Sequence, residues 1–388
     1  MFLEDFLNAN SDWQAQLAVS PYYIETKQDG GYYLLKYNIS MSDFDKPEVI
    51  EARGCIFRQD INGKWKCVCR SLDKFGNFNE PYAATPKIEW SKGVDVQEKI
   101  DGSIMRIWYD MDEWHISTNG AVDAFKVTCG LTNFGDLFLR ILRLDKIDRL
   151  DEYFDRENCY WFELVSPLHN RIVIHYPEDR VYFLGARNMQ TMEELDVELN
   201  FGELNDVLWQ PRHFPYYSLK ECIEAAHQMG DDEEGYVCVS TTKENRSYLR
   251  IKIKGDEYIE LHRLRGCGPL TVHRIIEMWQ ESKLDDFVAY YTEYRDFVDE
   301  VIQNIRRLID ESDAAYQAVT SHSDIRERGD FAKYANEYDS PVSNCLYARL
   351  DNKASNAADF YKKMRPRTLE VHIAKNLSQK QIGVAEDE

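Results

Sequence analysis

A lysine stands two residues before an Asp-Gly pair in the run Val94–Tyr109, VDVQEKIDGSIMRIWY. Lys99 has Glu98 and Ile100 as neighbours and is followed by Asp101, Gly102 and Ser103. Apolar residues alternate with polar ones on both sides, which reads as two strands. An amine held rigidly at the edge of a sheet can serve as a covalent nucleophile. The same residues also fit a strand-turn-strand hairpin with a surface lysine, because Asp-Gly is a common hairpin turn. The pattern alone does not separate the two readings.

Other polar clusters stand at the ends of strand-like runs in a definite order. Arg53-Gly54 comes first, in EARGCIF, and Lys74-Phe75 follows in SLDKFGNFNEP. After Lys99 come Thr118-Asn119-Gly120 in HISTNGAV, Glu163 in WFELVSP, and Arg187 at the end of VYFLGAR. Glu234-Gly235-Tyr236-Val237 opens a later strand. Lys252 and Lys254 alternate in LRIKIKGDEY, so both project from one strand face. That stripe fits phosphate binding, and it also fits a solvated strand surface. Glu163 lies among Trp161, Phe162, Leu164 and Val165, where an unpaired carboxylate is costly. It reads as a ribose or metal contact, or as half of a structural salt bridge.

The order and spacing of these clusters resemble the covalent nucleotidyltransferases, the polynucleotide ligases and mRNA capping enzymes. Their motifs are K-x-D-G at the nucleophile, a glutamate in the third motif, E-G in the fourth and K-x-K in the fifth. Within that group the chain is similar to the bacteriophage RNA ligases of the tRNA-repair type. The added likeness lies in Tyr37-Asn38, in EARGCIF followed by Lys74-Phe75, and in FELVSPLHNRIVIHY. The K-x-K strand running on into D-x-Y and L-H agrees too. The resemblance spans residues 20–265. It implies an ATP-dependent RNA ligase with a role in RNA repair. In such an enzyme a lysine attacks the α-phosphate of ATP and expels pyrophosphate. The adenylyl group passes to an RNA 5′-phosphate, and a 3′-hydroxyl then displaces AMP.

The resemblance assigns roles to individual residues. Lys99 is the nucleophile, with Lys252, Lys254 and Glu234 as its catalytic partners. Tyr37, Arg53, Lys74, Phe75, Glu98, Ile100, Gly102, Asn119, Glu163, Arg187 and Tyr258 complete the nucleotide site. Arg53 suits the ribose or the RNA phosphate through its fork of donors. Tyr258 is the candidate for stacking on adenine, with Phe75 near it in role. Glu163 and Glu234 are candidates for Mg²⁺ or Mn²⁺, since such ions take oxygen ligands and keep several waters. The nucleophile must be an unprotonated amine. Neighbouring cations and a metal favour that form, and a free lysine loses its proton only near pH 10.4. Two departures stand out: Gly76 replaces a second aromatic, and Asn119 replaces a basic residue. The related alternatives are a DNA ligase, a capping guanylyltransferase and a non-catalytic RNA-binding relative.

The elements that must position these residues follow from composition and periodicity. The chain has 388 residues, enough for two domains. Hydrophobic residues make up 44% and aromatics 13%, which supports sizeable cores. Mean hydropathy is −0.55 and no long apolar run occurs, so no membrane span is expected. The acidic start MFLEDFLNANSDW lacks the basic opening of a signal peptide. Nine scattered cysteines form no zinc spacing and read as reduced thiols of a cytoplasmic protein, the host cytoplasm if the source is viral. The net charge of −21 argues against a surface that coats nucleic acid broadly, and it leaves room for a local basic cleft.

Residues 1–20 read as a short helix, and strands dominate from there to residue 259. Helical stretches interrupt them over Asn133–Phe154 and Leu219–Met229. This mix is α+β with antiparallel sheets; the resemblance makes it a nucleotidyltransferase, ATP-grasp-like ligase domain over 1–265. Gly266-Cys267-Gly268-Pro269 marks a boundary. Beyond it, Val298, Val301, Ile302, Ile305 and Ile309 share one helical face, so 266–388 is expected to be all-α. That part carries Lys362, Lys363, Arg365, Arg367, Lys375 and Lys380, a solvated surface or, by resemblance, an RNA-selecting domain. The implied partners are ATP and RNA bearing 5′-phosphate and 3′-hydroxyl ends, tRNA being one candidate. No obligate protein partner is evident. No G-x-x-x-x-G-K-[ST] loop is present. The histidines, His169, His175 and His262 among them, form no metal-ligand pattern.

Overall fold

The strand that leads into Lys99, Val94–Glu98, and the strand that leaves Gly102, Ser103–Asp110, lie in different sheets. The hairpin reading of the Asp-Gly pair is therefore overturned. Lys99–Gly102 carries the chain from one sheet to the next. Asp101 is engaged outside any turn: its carboxylate accepts the Ile174 N–H at 3.0 Å, and its own N–H donates to the Tyr176 hydroxyl at 3.1 Å. The computed structural model describes residues 1–39, 41–168, 174, 176–196, 200–230, 232–256, 270–282, 284, 287–288, 294–377 and 381–382.

Three sheets organise the first part of the chain. Strands β1 (Ile24–Asp29), β2 (Tyr32–Tyr37), β3 (Arg53–Gln59) and β4 (Trp65–Cys69) form an antiparallel meander in that order. The second sheet has β5 (Val94–Glu98) at its heart. The third contains β6 (Ser103–Asp110) and β7 (Glu113–Thr118), and a short pair, β8 (Thr128–Cys129) with β9 (Thr132–Asn133), lies apart. The third sheet continues through β10 (Asn158–Val165), β11 (Arg180–Asn188), β12 (Glu194–Leu195) and β13 (Leu208–Trp209). Its order is β12-β11-β10-β6-β7, with β13 parallel to β11. The second sheet is completed by β14 (His213–Phe214), β15 (Gly235–Glu244) and β16 (Ser247–Lys254), in the order β14-β5-β15-β16.

Alternation sends successive side chains to opposite faces, and β10 is buried on both, with its Cys159 and Trp108 of β6 packing on Leu34, Ile56 and Val68 of the first sheet. In the second sheet Val96, Tyr236, Cys238, Ile251 and Ile253 pack with Cys222 and Ala226 of the helix Leu219–Ala226. Lys252 and Lys254 consequently point to the other side. In the third sheet Met105, Ile107, Tyr160, Phe162 and Leu164 pack against Leu137 and Phe138 of the helix Phe134–Ile141. Arg106, Trp161 and Glu163 point away from that core. The helix expected over Asn133–Phe154 stops at Ile141. Arg143 takes a positive φ of 58°, which ends a right-handed helix, and Ile147–Glu152 is a separate 3-10 turn. β1 lies inside the strand-rich stretch, although IETKQD by itself has no apolar alternation to mark it. The apolar run Arg171–His175, in the stretch read as strand-rich, lies outside the described residues, save Ile174.

The chain divides into two units: 1–17, 24–37 and 43–264 in one, and 18–23, 38–42 and 265–388 in the other. The expected boundary at Gly266–Pro269 lies outside the described residues. The second unit has a core stripe of Val298, Val301, Ile302, Ile305 and Ile309 on the helix Arg295–Thr320. Trp279, Leu369 and Ile373 pack on it, and so do Tyr23 and Met41, which draws the two N-terminal pieces into this unit. Among its described residues the regular structure is helical apart from the pair Leu270–Thr271 with Gln381–Ile382. Among the described residues no helix is long and apolar enough to cross a membrane. The eight described cysteines are buried free thiols.

Candidate active site

Strand register brings Lys99 to Glu234. On antiparallel β5 and β15, Glu98 stands opposite Tyr236, and the Lys99 N–H donates to the Gly235 carbonyl at 2.8 Å. Lys254 on β16 stands opposite Gly235. As a result Lys99 Nζ donates to Glu234 Oε2 at 2.6 Å, and Lys254 Nζ lies 3.0 Å from Oε1. Glu234 is 3% exposed and Lys254 5%. Burial pushes the Glu234 carboxyl up, but Lys99 and Lys254 outweigh it and hold the net value below the ordinary one. A buried carboxylate thus sits between two ammonium groups.

Two glycines permit this closeness. Gly235 has φ +146°, and a Cβ there would overlap the Ile253 carbonyl and lie 2.7 Å from Lys254 Cα. A Cβ on Gly102 would lie 2.5 Å from the Leu164 carbonyl and 2.8 Å from Glu163 Cγ. The glycine of the Asp-Gly pair therefore serves to let β10 pass against the Lys99 segment.

β10 delivers Glu163, which stands opposite Ile104 on β6 and Tyr182 on β11. Burial is the largest influence on its carboxyl and raises it; Lys99 and Arg53 pull it down, while Glu234 and Asp101 push it up. The net value is about 8. In the ligand-free protein at neutral pH, Glu163 therefore keeps its proton while Glu234 is ionised. Two neighbouring carboxyls in opposite states are a feature of sites that manage charge.

β3 contributes Arg53, whose charged form burial disfavours and Tyr37 and Glu163 support. Arg53 Nη1 is buried and has no hydrogen-bond partner, and the same holds for Asn119 Oδ1. Arg106 joins the two segments: its guanidinium donates to the Gly54 and Thr118 carbonyls. Arg53 also lies over the Phe75 ring, 5.2 Å from its centroid. Lys74 Nζ sits 5.5 Å from the Tyr37 ring, 5.4 Å from Phe44 and 5.6 Å from Tyr82, an aromatic surround that steadies a cation. The segment after it is bound to β16, because Lys252 N–H donates to Gly76 O and Phe78 N–H to Lys252 O, both at 3.0 Å. Lys74 and Phe75 are tied to the K-x-K strand in this way.

Three expected site residues have protein partners in this structure. Arg187 is fully buried, and its fork is spent on the carbonyls of Met192 (2.6 Å) and Ser71 (3.2 Å) and on the Ser247 hydroxyl (2.9 Å). That makes it a clamp between strands, with no donor left to turn toward a nucleotide. The Ile100 side chain packs with Val165 and Tyr182. Glu98 pairs with Arg212 at 3.0 Å. Tyr258 lies outside the described residues, as do His169, His175 and His262. Sequence reasoning missed Arg106, Arg212, Phe44 and Tyr82. Arg106 did carry a signal, a charge between apolar Met105 and Ile107, of the same kind that singled out Glu163. Arg212 carried none: it also pairs with Glu233 at 2.5 Å, so it ties together the residues that precede Lys99 and Glu234.

The arrangement suits transfer of a phosphate-linked group to an amine. It has a lysine, a second buried lysine to offset phosphate charge, two carboxyls and unpartnered buried polar atoms. Comparisons with known proteins point the same way. A family described as RNA ligase matches residues 51–258. A baculovirus protein, from Autographa californica nuclear polyhedrosis virus, named as a bifunctional polynucleotide kinase/RNA ligase, is 32% identical over 66% of this chain. This chain spans 37% of that protein's length. An RNA ligase of Rhodothermus phage RM378 is 26% identical over 91% of this chain and 92% of its own. Among solved structures, an archaeal ATP-dependent RNA ligase is 14% identical with a TM-score of 0.46 over 88% of this chain and 95% of its own. A Naegleria gruberi RNA ligase is 16% identical with a TM-score of 0.38 over 50% and 58%. Both structural likenesses are too remote to bear on function. The matched family covers more than half of the residues, from before Arg53 to beyond Lys254, and the chain belongs to the RNA ligase family.

Proposed function

We propose that the protein is an ATP-dependent RNA ligase that works through a covalent Lys99–AMP. The observation that carries this reading is the buried Glu234 carboxylate held between Lys99 at 2.6 Å and Lys254 at 3.0 Å, with Glu163 alongside. In the first step the Lys99 amine attacks the α-phosphorus of ATP. A P–N bond forms, the P–O bond to pyrophosphate breaks, and the nitrogen, having released two of the ammonium's three protons to solvent, keeps the third. An ammonium bonded to a carboxylate has no lone pair to offer, so the Lys99–Glu234 pair must open before attack. Lys254 and Lys252 then face the phosphate oxygens and offset their charge. In the second step an RNA 5′-phosphate oxygen attacks the same phosphorus and the P–N bond breaks. In the third a 3′-hydroxyl attacks the RNA 5′-phosphorus and AMP departs.

A divalent metal fits this donor set. Two carboxyls, Glu234 and Glu163, come together here, and no group of three His, Cys, Asp or Glu converges among the described residues. Such a site suits Mg²⁺ or Mn²⁺, which complete their shells with phosphate oxygens and water. When bound, the ion neutralises phosphate charge and favours the free amine. Arg53 and Asn119 have buried polar atoms suited to the ribose or phosphates, and Lys74, Tyr37 and Phe75 belong to the same surface. Exposed Arg365 and Arg367 on the second unit suit an RNA-selecting role, with tRNA as a candidate, and RNA repair in the cytoplasm is the accompanying expectation.

Incubation with labelled ATP and Mg²⁺ tests the reading. Label is expected on the protein and absent from Lys99→Ala. Label that persists in Lys99→Ala sinks it. GTP in place of ATP, and nicked DNA in place of RNA, separate it from a capping enzyme and a DNA ligase.

A further inference from the structure

Trp209 is 45% exposed, the largest such side chain on the β-rich unit's third sheet. Its position follows from register. Glu163 on β10 stands opposite Tyr182 on β11, and Tyr182 stands opposite Trp209 on β13. Opposed residues share a face, so the three form a row across neighbouring strands. Strands lie about 4.8 Å apart, which puts the Trp209 backbone about 10 Å from that of Glu163. The row begins at the buried carboxyl beside Lys99 and ends at an open indole.

A cation is already seated there. The Arg180 guanidinium lies 4.0 Å from the Trp209 ring centroid, and its Nη1 is 3.5 Å from the Tyr182 hydroxyl. Glu178 accepts from Arg180 Nε at 2.9 Å and fixes its plane. The Tyr182 ring lies 6.3 Å from the indole, tilted by 49°. From Trp209 the chain runs through Gln210 and Pro211 to Arg212, which grips Glu98 and Glu233. The exposed ring is thus anchored to the active site on two sides, through Tyr182 and through Arg212. Among the described residues it belongs to no buried core cluster.

We propose that Trp209, with Arg180, is a stacking platform for a nucleobase at an end of the single-stranded RNA being joined. The inference rests on the RNA ligase reading. An indole face accepts any base, because every base has a π-face, and a guanidinium beside it adds cation–π and phosphate contact. Stacking is also a form of affinity open to an acidic chain of net charge −21, which has little long-range pull on phosphates.

The test uses the full chain as Trp209→Ala, Trp209→Phe and Arg180→Ala. Base stacking is worth roughly 5- to 150-fold in affinity, that is ~1–3 kcal/mol per base. Trp209→Ala is expected to raise the KM for pre-adenylated RNA oligomers by about tenfold, while labelling of Lys99 by ATP stays within about twofold of wild type. Trp209→Phe should restore the KM. Acceptor and donor oligomers varied separately will show which end stacks. A wild-type KM in Trp209→Ala overturns the platform, and so does an equal loss of lysine labelling and RNA joining. If the wild type takes no label, the ligase reading fails instead. The platform is then judged by fluorescence alone: a short single-stranded RNA must quench wild type more than Trp209→Phe, and equal quenching refutes it.

Discussion

Replacing Glu163 by glutamine tests the electrostatics of the site in one substitution. The carboxyl lies beside Lys99 and Arg53, is 9% exposed, and holds its proton up to about pH 8 against an ordinary value of 4.5. It binds that proton more tightly folded than unfolded. Its contribution to stability is therefore complete below about pH 4.5 and is lost as pH rises through about 8. Glutamine keeps the shape and never ionises. The rise from 4.5 to about 8 corresponds to an upper bound of about 5 kcal/mol at about 1.36 kcal/mol per pH unit. Local relaxation and water entry around a newly formed charge reduce this, and about 2 kcal/mol is expected. The assay is urea unfolding of wild type and Glu163→Gln, without nucleotide and in EDTA, from about pH 5 to about pH 9. The early transition is followed, because two units need not unfold together. Taking the difference between the two proteins cancels every other titrating group. Glu163→Gln should match wild type near pH 5 and exceed it progressively toward pH 9. A difference that is flat with pH, or that shrinks as pH rises, refutes the assignment of a protonated Glu163.

Two further substitutions probe the geometry. Gly102→Ala places a methyl group 2.5 Å from the Leu164 carbonyl and 2.8 Å from Glu163 Cγ. Displacing Lys99 by even part of an ångström should cut lysine labelling by on the order of a hundredfold while the chain still folds, as checked by circular dichroism. Wild-type labelling in Gly102→Ala would mean that the Lys99 segment is not held against β10. Glu234→Ala removes the carboxylate from between Lys99 and the 5%-exposed Lys254. Loss of one partner from a buried pair should cost about 3 kcal/mol of stability, and adding Lys254→Met should recover part of it. A Glu234→Ala protein as stable as wild type contradicts the buried pairing.

Much of this protein was legible locally. The strand pattern placed β3, β6, β10 and β16 within a residue or two of their observed ends, because β-branched and aromatic residues bounded by turn residues suit a pleated surface; it stopped at Ser240 in β15, which runs on to Glu244. It also put Lys252 and Lys254 on one side and marked Glu163 as a charge among apolar neighbours. The order of these clusters was enough to suggest the family. What alternation does not carry is which strands pair. The Asp-Gly pair looked like a hairpin turn and is a crossing between sheets, since only the partners of β5 and β6, far away in sequence, decide that. Arg187 looked like a ligand-facing residue. It became a clamp because Ser71, Met192 and Ser247 converge on it from three segments. Arg212 and Trp209 lie in a stretch without periodicity, and their places at the rim of the site come from strand register alone. The chain by itself put an amine, Lys99, two residues before the Asp-Gly pair. That its amine meets Glu234, 135 residues later, was decided by the ladder between β5 and β15, where backbone hydrogen bonds set which side chains can touch.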